Sequence, residues 1–386
     1  MLKKIMIYTL VTLVAGIGFS QFAGPEKLGT ELPELMIIQS MGIDVENEKY
    51  TVTVEILNNE QTGSANGEVQ SEQKTKIYSG KGETLSEALG DIIKKNGNKP
   101  LYAHNRAVII GEDAAKTKFT DILDFIERDY NTRATVPVAI SAGGRASDIV
   151  TAEVGNNVIR AHILENVLEE SEKVSYSQKM RVLDVANYKY EQTTSLVIPA
   201  IKTAENYENE SYYIYGSAVF DKNNNLAGYL NEAQSMGLGF LKNEIQKGVI
   251  SSKIDGRKFS VLIEKSKTEY VINTKGDIPE FTLNVILSVD LDEIEGGAYS
   301  FSKVYIEKME NAVSDEVVKL MRQSLYQTQK VFRRDCLRFG KRLLLNDRNA
   351  YFKYCDGWDD VFPEIPVNIN TKVSVRRIGE ISFFKK

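Results

Sequence analysis

Histidine and cysteine are nearly absent from this 386-residue chain: it carries His104 and His162, Cys336 and Cys355, and no others. Two cysteines exclude a disulfide framework, and so few scattered Cys and His residues exclude a metal centre built from several of them. One Cys336–Cys355 bridge and a pair of free buried thiols both stay open. A basic surplus is missing too. Lysine and arginine number 48 against 53 acidic residues, for a net charge of −5, which speaks against an obligate nucleic-acid binder. No long apolar run follows residue 24, so a polytopic membrane protein is excluded. There is no phosphate-binding Gly-Lys loop, no dinucleotide glycine fingerprint, no Gly-x-Ser-x-Gly elbow and no His-Glu-x-x-His. Hydrophobic residues at 42% and charged residues at 26% are ordinary for a folded protein and exclude disorder. The length suits two or three domains.

What is present begins at the N-terminus. Lys3 and Lys4 precede the uncharged run Ile5–Phe19, the pattern of a secretory signal. Gly18-Phe19-Ser20 offers a small-x-small cleavage site. Gln21, Phe22 and Ala23 extend the run, so an uncleaved anchor is the other reading, and the favoured one. Ile5–Ala23 would then span about 28 Å at 1.5 Å per residue, just under the roughly 30 Å hydrocarbon core. Lys3 and Lys4 would stay inside and the exported body outside.

After a connector marked by Pro25, Gly29 and Pro33, the chain reads as α+β, in three consecutive mixed α/β domains. Residues 1–24 are the leader, 25–190 an N-terminal α+β domain, 191–256 a small middle α/β domain, and 257–386 a C-terminal α+β domain. In the first, Leu35–Ile38 and Tyr50–Leu57 pattern as strands joined by a polar turn over Asp44–Lys49. Residues 58–74 are polar without periodicity and read as a loop. Thr84-Leu-Ser-Glu87 is a capping box that opens a helix with Leu85, Ala88, Leu89, Ile92 and Ile93 on one face. A strand at Ala107–Ile110, a helix from Thr120, a strand near Val136–Ser141, and helices near Val158–Glu169 and Met180–Tyr190 follow. In the middle unit, strands at Ser195–Ile201, Gly216–Phe220 and Leu226–Leu230 precede a helix over Glu232–Lys242, with a hairpin turn at Asp221–Asn225. The last domain reads β-β-α-β. Strands at Phe259–Lys265 and Phe281–Asp290 are followed by one long helix opening at Ser314, with Asp315 and Glu316 in its first turn. Its apolar stripe runs from Val317 through Met321, Phe332, Cys336 and Phe339 to Leu343. A closing strand covers Val367–Val375.

Few residues could carry chemistry. His162 sits on a helix beside Ile159 and Ile163 and reads as structural. His104 opens a strand with Arg106 and reads as a turn histidine, while Arg106 can pin a carboxylate through its fork of donors. Asp356, Asp359 and Asp360 flank the single tryptophan, Trp358, in a pattern open to an acidic sugar site. The plainer reading packs Trp358 and Phe362 inward and leaves the aspartates solvated. The locally basic stretch Arg333, Arg334, Arg338, Lys341 and Arg342 reads as a solvated helix face able to meet anionic lipid or an acidic partner. No catalytic, cofactor-binding or metal-ligating residue is assigned.

The succession of short motifs resembles the Ger(x)C family of spore germination proteins. It begins with Met41-Gly-Ile-Asp44, Tyr78-Ser-Gly-Lys-Gly82, His104-Asn-Arg106, Ile109-Ile-Gly-Glu112, Asp121-Ile-Leu-Asp-Phe125 and Arg128-Asp129. It continues with Gly216–Phe220, Gly228-Tyr-Leu230, Lys247-Gly-Val-Ile250, Trp358–Pro363 and Val373–Gly379. Each motif is weak alone; their order is specific. The resemblance implies a non-catalytic C subunit of a nutrient germinant receptor. It would sit with membrane-embedded A and B subunits at the outer face of the spore inner membrane and need no cofactor. Family members carry a lipobox cysteine after the leader, followed by Trp-Asp. Gly16–Gly24 here has no cysteine, so acylation there is chemically impossible. Two other classes remain open, a secreted cell-wall hydrolase using Asp356–Asp360 and a stand-alone solute-binding protein.

Overall fold

Alternating β-branched and aliphatic residues build a hairpin from Leu35–Glu46 (β1) and Lys49–Leu57 (β2), which turns at Asn47 and Glu48, both at positive φ. The computed structural model describes residues 35–58, 74–128, 133–155, 158–178, 180–188, 191–204, 211–296 and 302–378. The leader, the Pro25–Pro33 connector, nearly all of the expected loop, Asp129 and Gly379 lie outside them. Among the described residues, no helix is long and apolar enough to cross a membrane.

The hairpin sits in a sheet with Thr75–Gly82 (β3), Lys99–Leu101 (β4), Ala107–Ile110 (β5), Val138–Ser141 (β6), Val197–Thr203 (β7), Tyr212–Phe220 (β8) and Leu226–Asn231 (β9). The order is β3-β2-β1-β5-β6-β7-β8-β9, with β4 also on β1. The centre, β1-β5-β6-β7, is parallel, and both flanks are antiparallel. The expected units 25–190 and 191–256 thus share one sheet, joined where Ile140 and Ser141 face Ala200 and Ile201.

Helices Leu85–Asn96 (α1), Glu112–Thr117 (α2), Phe119–Arg128 (α3), Ala146–Val150 (α4), Arg160–Lys173 (α5) and Val182–Tyr188 (α6) pack on this sheet. The Thr84 hydroxyl accepts from Glu87 N at 3.2 Å and ends the chain's extended run. The reciprocal bond falls one residue early, from Glu83 N to the Glu87 carboxylate at 2.8 Å. Leu85, Ala88, Leu89 and Ile92 are buried as expected, but Ile93 is exposed. One face of the sheet buries Ile38, Val54, Phe119 and Phe220; the other buries Ile109, Ala146, Leu164 and Ile214.

The last third keeps the expected β-β-α-β order, but a strand from ahead of residue 257 joins it and the long helix is divided. Its sheet has a further strand, in the order Val249–Ile254 (β10), Arg257–Asn273 (β11), Glu280–Ile294 (β12) and Val367–Arg377 (β13), with β13 parallel to β12. Residue 256 lies in the Asp255-Gly256 turn of the β10–β11 hairpin. Between β9 and β10 lies Glu232–Lys242 (α7), boxed by Asn231 and Gln234. The long helix, Lys303–Tyr326 (α8), starts eleven residues before the expected Ser314, where the Ser302 hydroxyl accepts from Tyr305 N. Asp315 and Glu316 are therefore mid-helix. The expected stripe is also broken. A π-helical turn at Gln327–Phe332 ends in Arg333 at φ 55°, and a new helix, Phe339–Asn346 (α9), starts after Arg338 at φ 60°. Phe332 is half-buried against Gly228. Arg348–Tyr354 (α10) and Trp358–Val361 (α11) follow. The core here joins Phe240, Phe281, Met309, Val317, Phe339 and Trp358, with Phe281 and Phe339 stacked at 4.1 Å. Cys336 and Cys355 are buried free thiols, not a bridge.

Candidate functional site

Asp335 explains why the apolar stripe breaks where it does. Its carboxylate is buried and accepts from Leu337 N, Phe339 N, Gly340 N and Trp358 Nε1, at 2.8–3.1 Å. A helix running through residue 335 could not turn those three amides onto one side chain, so the carboxylate ends one helix and caps the next. Burial pushes the Asp335 carboxyl up to about 6 against the opposing pull of these four donors. Trp358 is thereby fixed against α9, with Phe362 6.5 Å away.

The segment Glu191–Ser195, leading from the end of α6 into β7, runs across this cap. Glu191 pairs with Lys341 at 2.5 Å and with Arg338 at 3.6 Å. Gln192 donates to Asp356 at 3.4 Å, and Ser195 N donates to the Asp335 carbonyl at 2.9 Å. A Cβ added to Gly340 would fall 2.2 Å from the Thr193 hydroxyl, so only glycine allows this approach. Along the seam lie three adjoining hollows of about 340, 410 and 540 Å³: the first and second share Tyr188, the first and third Asp184 and Arg338, and the second and third Glu191–Thr194. Together they form one polar cleft between the two halves of the chain. Arg338 lies 5.1 Å from the Tyr188 ring centroid, and burial pushes the Tyr188 hydroxyl up.

The sequence candidates divide sharply. Asp356, Asp359 and Asp360 do line a cleft, the 410 Å³ hollow, while Trp358 packs inward. Asp359 is paired with Arg334 at 2.6 Å. The basic stretch is not a solvated face. Arg334 holds Asp359, Arg338 and Lys341 hold Glu191, and Arg342 donates to the Lys242 carbonyl while stacking 3.5 Å from the Tyr270 ring centroid. Arg333 and Lys341 stay exposed, Lys341 at the surface end of its pair with Glu191, while Arg334, Arg338 and Arg342 are half-buried. His104 is exposed in a single 3₁₀ turn. Arg106 pairs with Glu165 at 2.5 Å, the carboxylate partner its fork suggested. His162 is half-buried on α5, and burial, then Arg106, lowers its pKa.

Sequence reasoning missed Asp335, Tyr188 and Glu191. The one available signal was an acid at 335 inside a run of arginines. Among the described residues, no group of His, Cys, Asp and Glu is arranged to hold a metal ion.

Two family models match the chain. The model described as "Spore germination protein N-terminal domain" covers residues 29–203, and "Spore germination B3/ GerAC like, C-terminal" covers 215–379. Together they span most of the sequence, and the chain belongs to the Ger(x)C family of spore germination proteins, a germinant-receptor C-subunit family. Spore germination protein KC of Bacillus subtilis (strain 168) is 25% identical over 371 residues, covering 90% of this chain and 91% of the relative. Spore germination protein B3 of the same organism is 23% identical over 363 residues, covering 91% and 93%. The crystal structure of the GerBC protein has the same fold, with a TM-score of 0.58 at 22% identity, covering 88% of this chain and 97% of that one.

Proposed function

We propose that this chain is the non-catalytic C subunit of a nutrient germinant receptor, assembling with membrane-embedded A and B subunits at the outer face of the spore inner membrane. The observation that carries the reading is the collinear family match across both halves of the chain. Its ionisable cleft residues support a scaffold: Glu191, Asp335 and Asp359 are all bound to internal donors that fix the seam. Attachment rests on the leader, kept as an uncleaved span over Ile5–Ala23, or on the partner subunits where the leader is removed. Spores lacking this chain are expected to lose their response to the nutrient that the receptor serves. An unchanged response to every nutrient tested would contradict the proposal. The native N-terminal peptide should begin at residue 1 or 2; a start at Gln21 or later removes the anchor.

One observation favours a second reading, that of a cell-wall hydrolase: Asp356, Asp359 and Asp360 share a hollow of about 410 Å³. Incubation with peptidoglycan separates the two. A scaffold releases no fragments, and a hydrolase does.

A further inference from the structure

Exposed apolar side chains are ordinary when scattered singly, but the corner where α9 meets α10 gathers them with charge of one sign. Leu345, in the last turn of α9, is 81% exposed, and Phe352, on α10, is 58% exposed. Neither is a loosely held end, because Leu343 and Tyr351 beside them are buried in the core. Residues 339–355 carry Lys341, Arg342, Arg348 and Lys353 against one acid, Asp347. That acid is committed: it accepts from Ala350 N at 3.0 Å and from the Thr274 hydroxyl at 2.8 Å. Arg348 lies 5.5 Å from the Phe352 ring centroid and Lys353 4.7 Å from that of Tyr354, so both cations ride on aromatic faces. The adjoining β11–β12 turn adds one charge of each sign, Lys275 and Asp277.

The place of this corner in the fold matters as much as its composition. Strands β1, β5, β6 and β7 are parallel, so their N-terminal ends share one edge of the large sheet. β7 is entered from Glu191–Ser195, where Thr193, Lys341, Leu344 and Tyr351 line one hollow. The α9–α10 corner therefore stands at the edge where Leu35 opens β1, three strand spacings or about 14 Å from β7. Residues 24–34, which join Leu35 to the leader, reach at most about 40 Å when fully extended. A body held by that leader keeps this corner close to the lipid. A protein partner would need a matching pocket for each apolar tip and an acid for each cation. A lipid interface receives both without a matching shape. We propose that the α9–α10 corner rests in an anionic lipid interface, with Leu345 and Phe352 among the headgroups and Arg348 and Lys353 on the phosphates. The proposal rests on the leader-anchored form of the chain; it concerns how the body is oriented on the membrane.

The test places the full chain in vesicles through its leader and reads position 352 by fluorescence. The one native tryptophan, Trp358, is buried, so Phe352→Trp reports this corner and the parent chain supplies the background. The vesicles are phosphatidylcholine alone or an equal mixture with phosphatidylglycerol, each doped with a lipid brominated on its acyl chains. Phe352→Trp is expected to be quenched well beyond the parent in the anionic vesicles, and less in the neutral ones. Each cation near an anionic surface is worth about fivefold in occupancy, so adding Arg348→Glu and Lys353→Glu should remove most of that quenching. Leu345→Ser should reduce it as well. These side chains are exposed, and the variants should melt with the parent. Flotation of the same samples reports the leader separately. A chain that floats with anionic vesicles without added quenching overturns the proposal and leaves the anchor standing. A chain that stays behind overturns the anchor, and the proposal with it. Quenching that charge reversal leaves intact also overturns the proposal.

Discussion

Buried carboxylates do structural duty throughout this chain. Asp44 on β1 accepts from Ala146 N and Ser147 N, 102 and 103 residues away, and so holds the start of α4. Glu55 on β2 accepts from Arg160 N and Ala161 N at the start of α5. Asp335 does the same for α9. Asp335→Ala would strand four buried donors and should cost at least about 3 kcal/mol at neutral pH, measured by denaturant unfolding. The pH dependence has a definite sign. Burial raises the native carboxyl to about 6 from an ordinary value of 3.8, so the native state binds this proton more tightly than the unfolded chain. The stabilisation is fully present below about 4 and is lost as pH rises through about 6. In Asp335→Asn that segment of the stability–pH curve should flatten; an identical slope in parent and variant would mean that Asp335 titrates normally. The surface end of β5 offers a contrast. Arg106→Ala loses a partly exposed ion pair and should cost about 1 kcal/mol and lower the subunit's level in spores. His104→Ala should fall within about 0.5 kcal/mol and leave germination intact. A dead histidine variant of normal abundance would reveal a role that its exposed turn position does not explain.

At the level of elements, the crossing of α7 and α8 is set by one residue. A Cβ on Gly237 would fall 2.1 Å from the Leu320 carbonyl oxygen, which is backbone and cannot swing aside. Gly237→Ala should therefore push the helices apart and cost about 3 kcal/mol, read as a lower thermal midpoint. Phe332→Ala should cost less than the 3–5 kcal/mol typical of a buried ring, because its ring is half-buried over Gly228. Most strands and α1 were legible in the sequence because alternation and a Thr84 cap are local signals. The break between α8 and α9 was not. Val317, Met321, Phe339 and Leu343 face the same core from two helices, so the three-and-four spacing survives an interruption that no glycine or proline marks. The start of α8 was missed for a related reason: Ser314 followed by two acids imitates a cap, while the true cap, Ser302, has no acid in the turn after it. The inward pairing of Arg334, Arg338 and Lys341 was equally hidden, since Glu191 lies 150 residues from Lys341.

Across the whole molecule, one seam ties the two halves matched by the family models. Glu191–Ser195 belongs to the first half and bonds to Lys341, Arg338, Asp356 and Asp335 in the second. The two halves also share the β7–β8 pairing, so they form one continuous sheet as well as a seam of paired charges. The measurement that bears most directly on this account is affinity capture of the tagged chain from detergent-solubilised spore inner membranes, followed by mass spectrometry. The receptor assignment predicts co-purification of two polytopic membrane subunits in constant ratio to the chain. Recovery of the chain alone from that membrane, or from a soluble fraction without them, would contradict it.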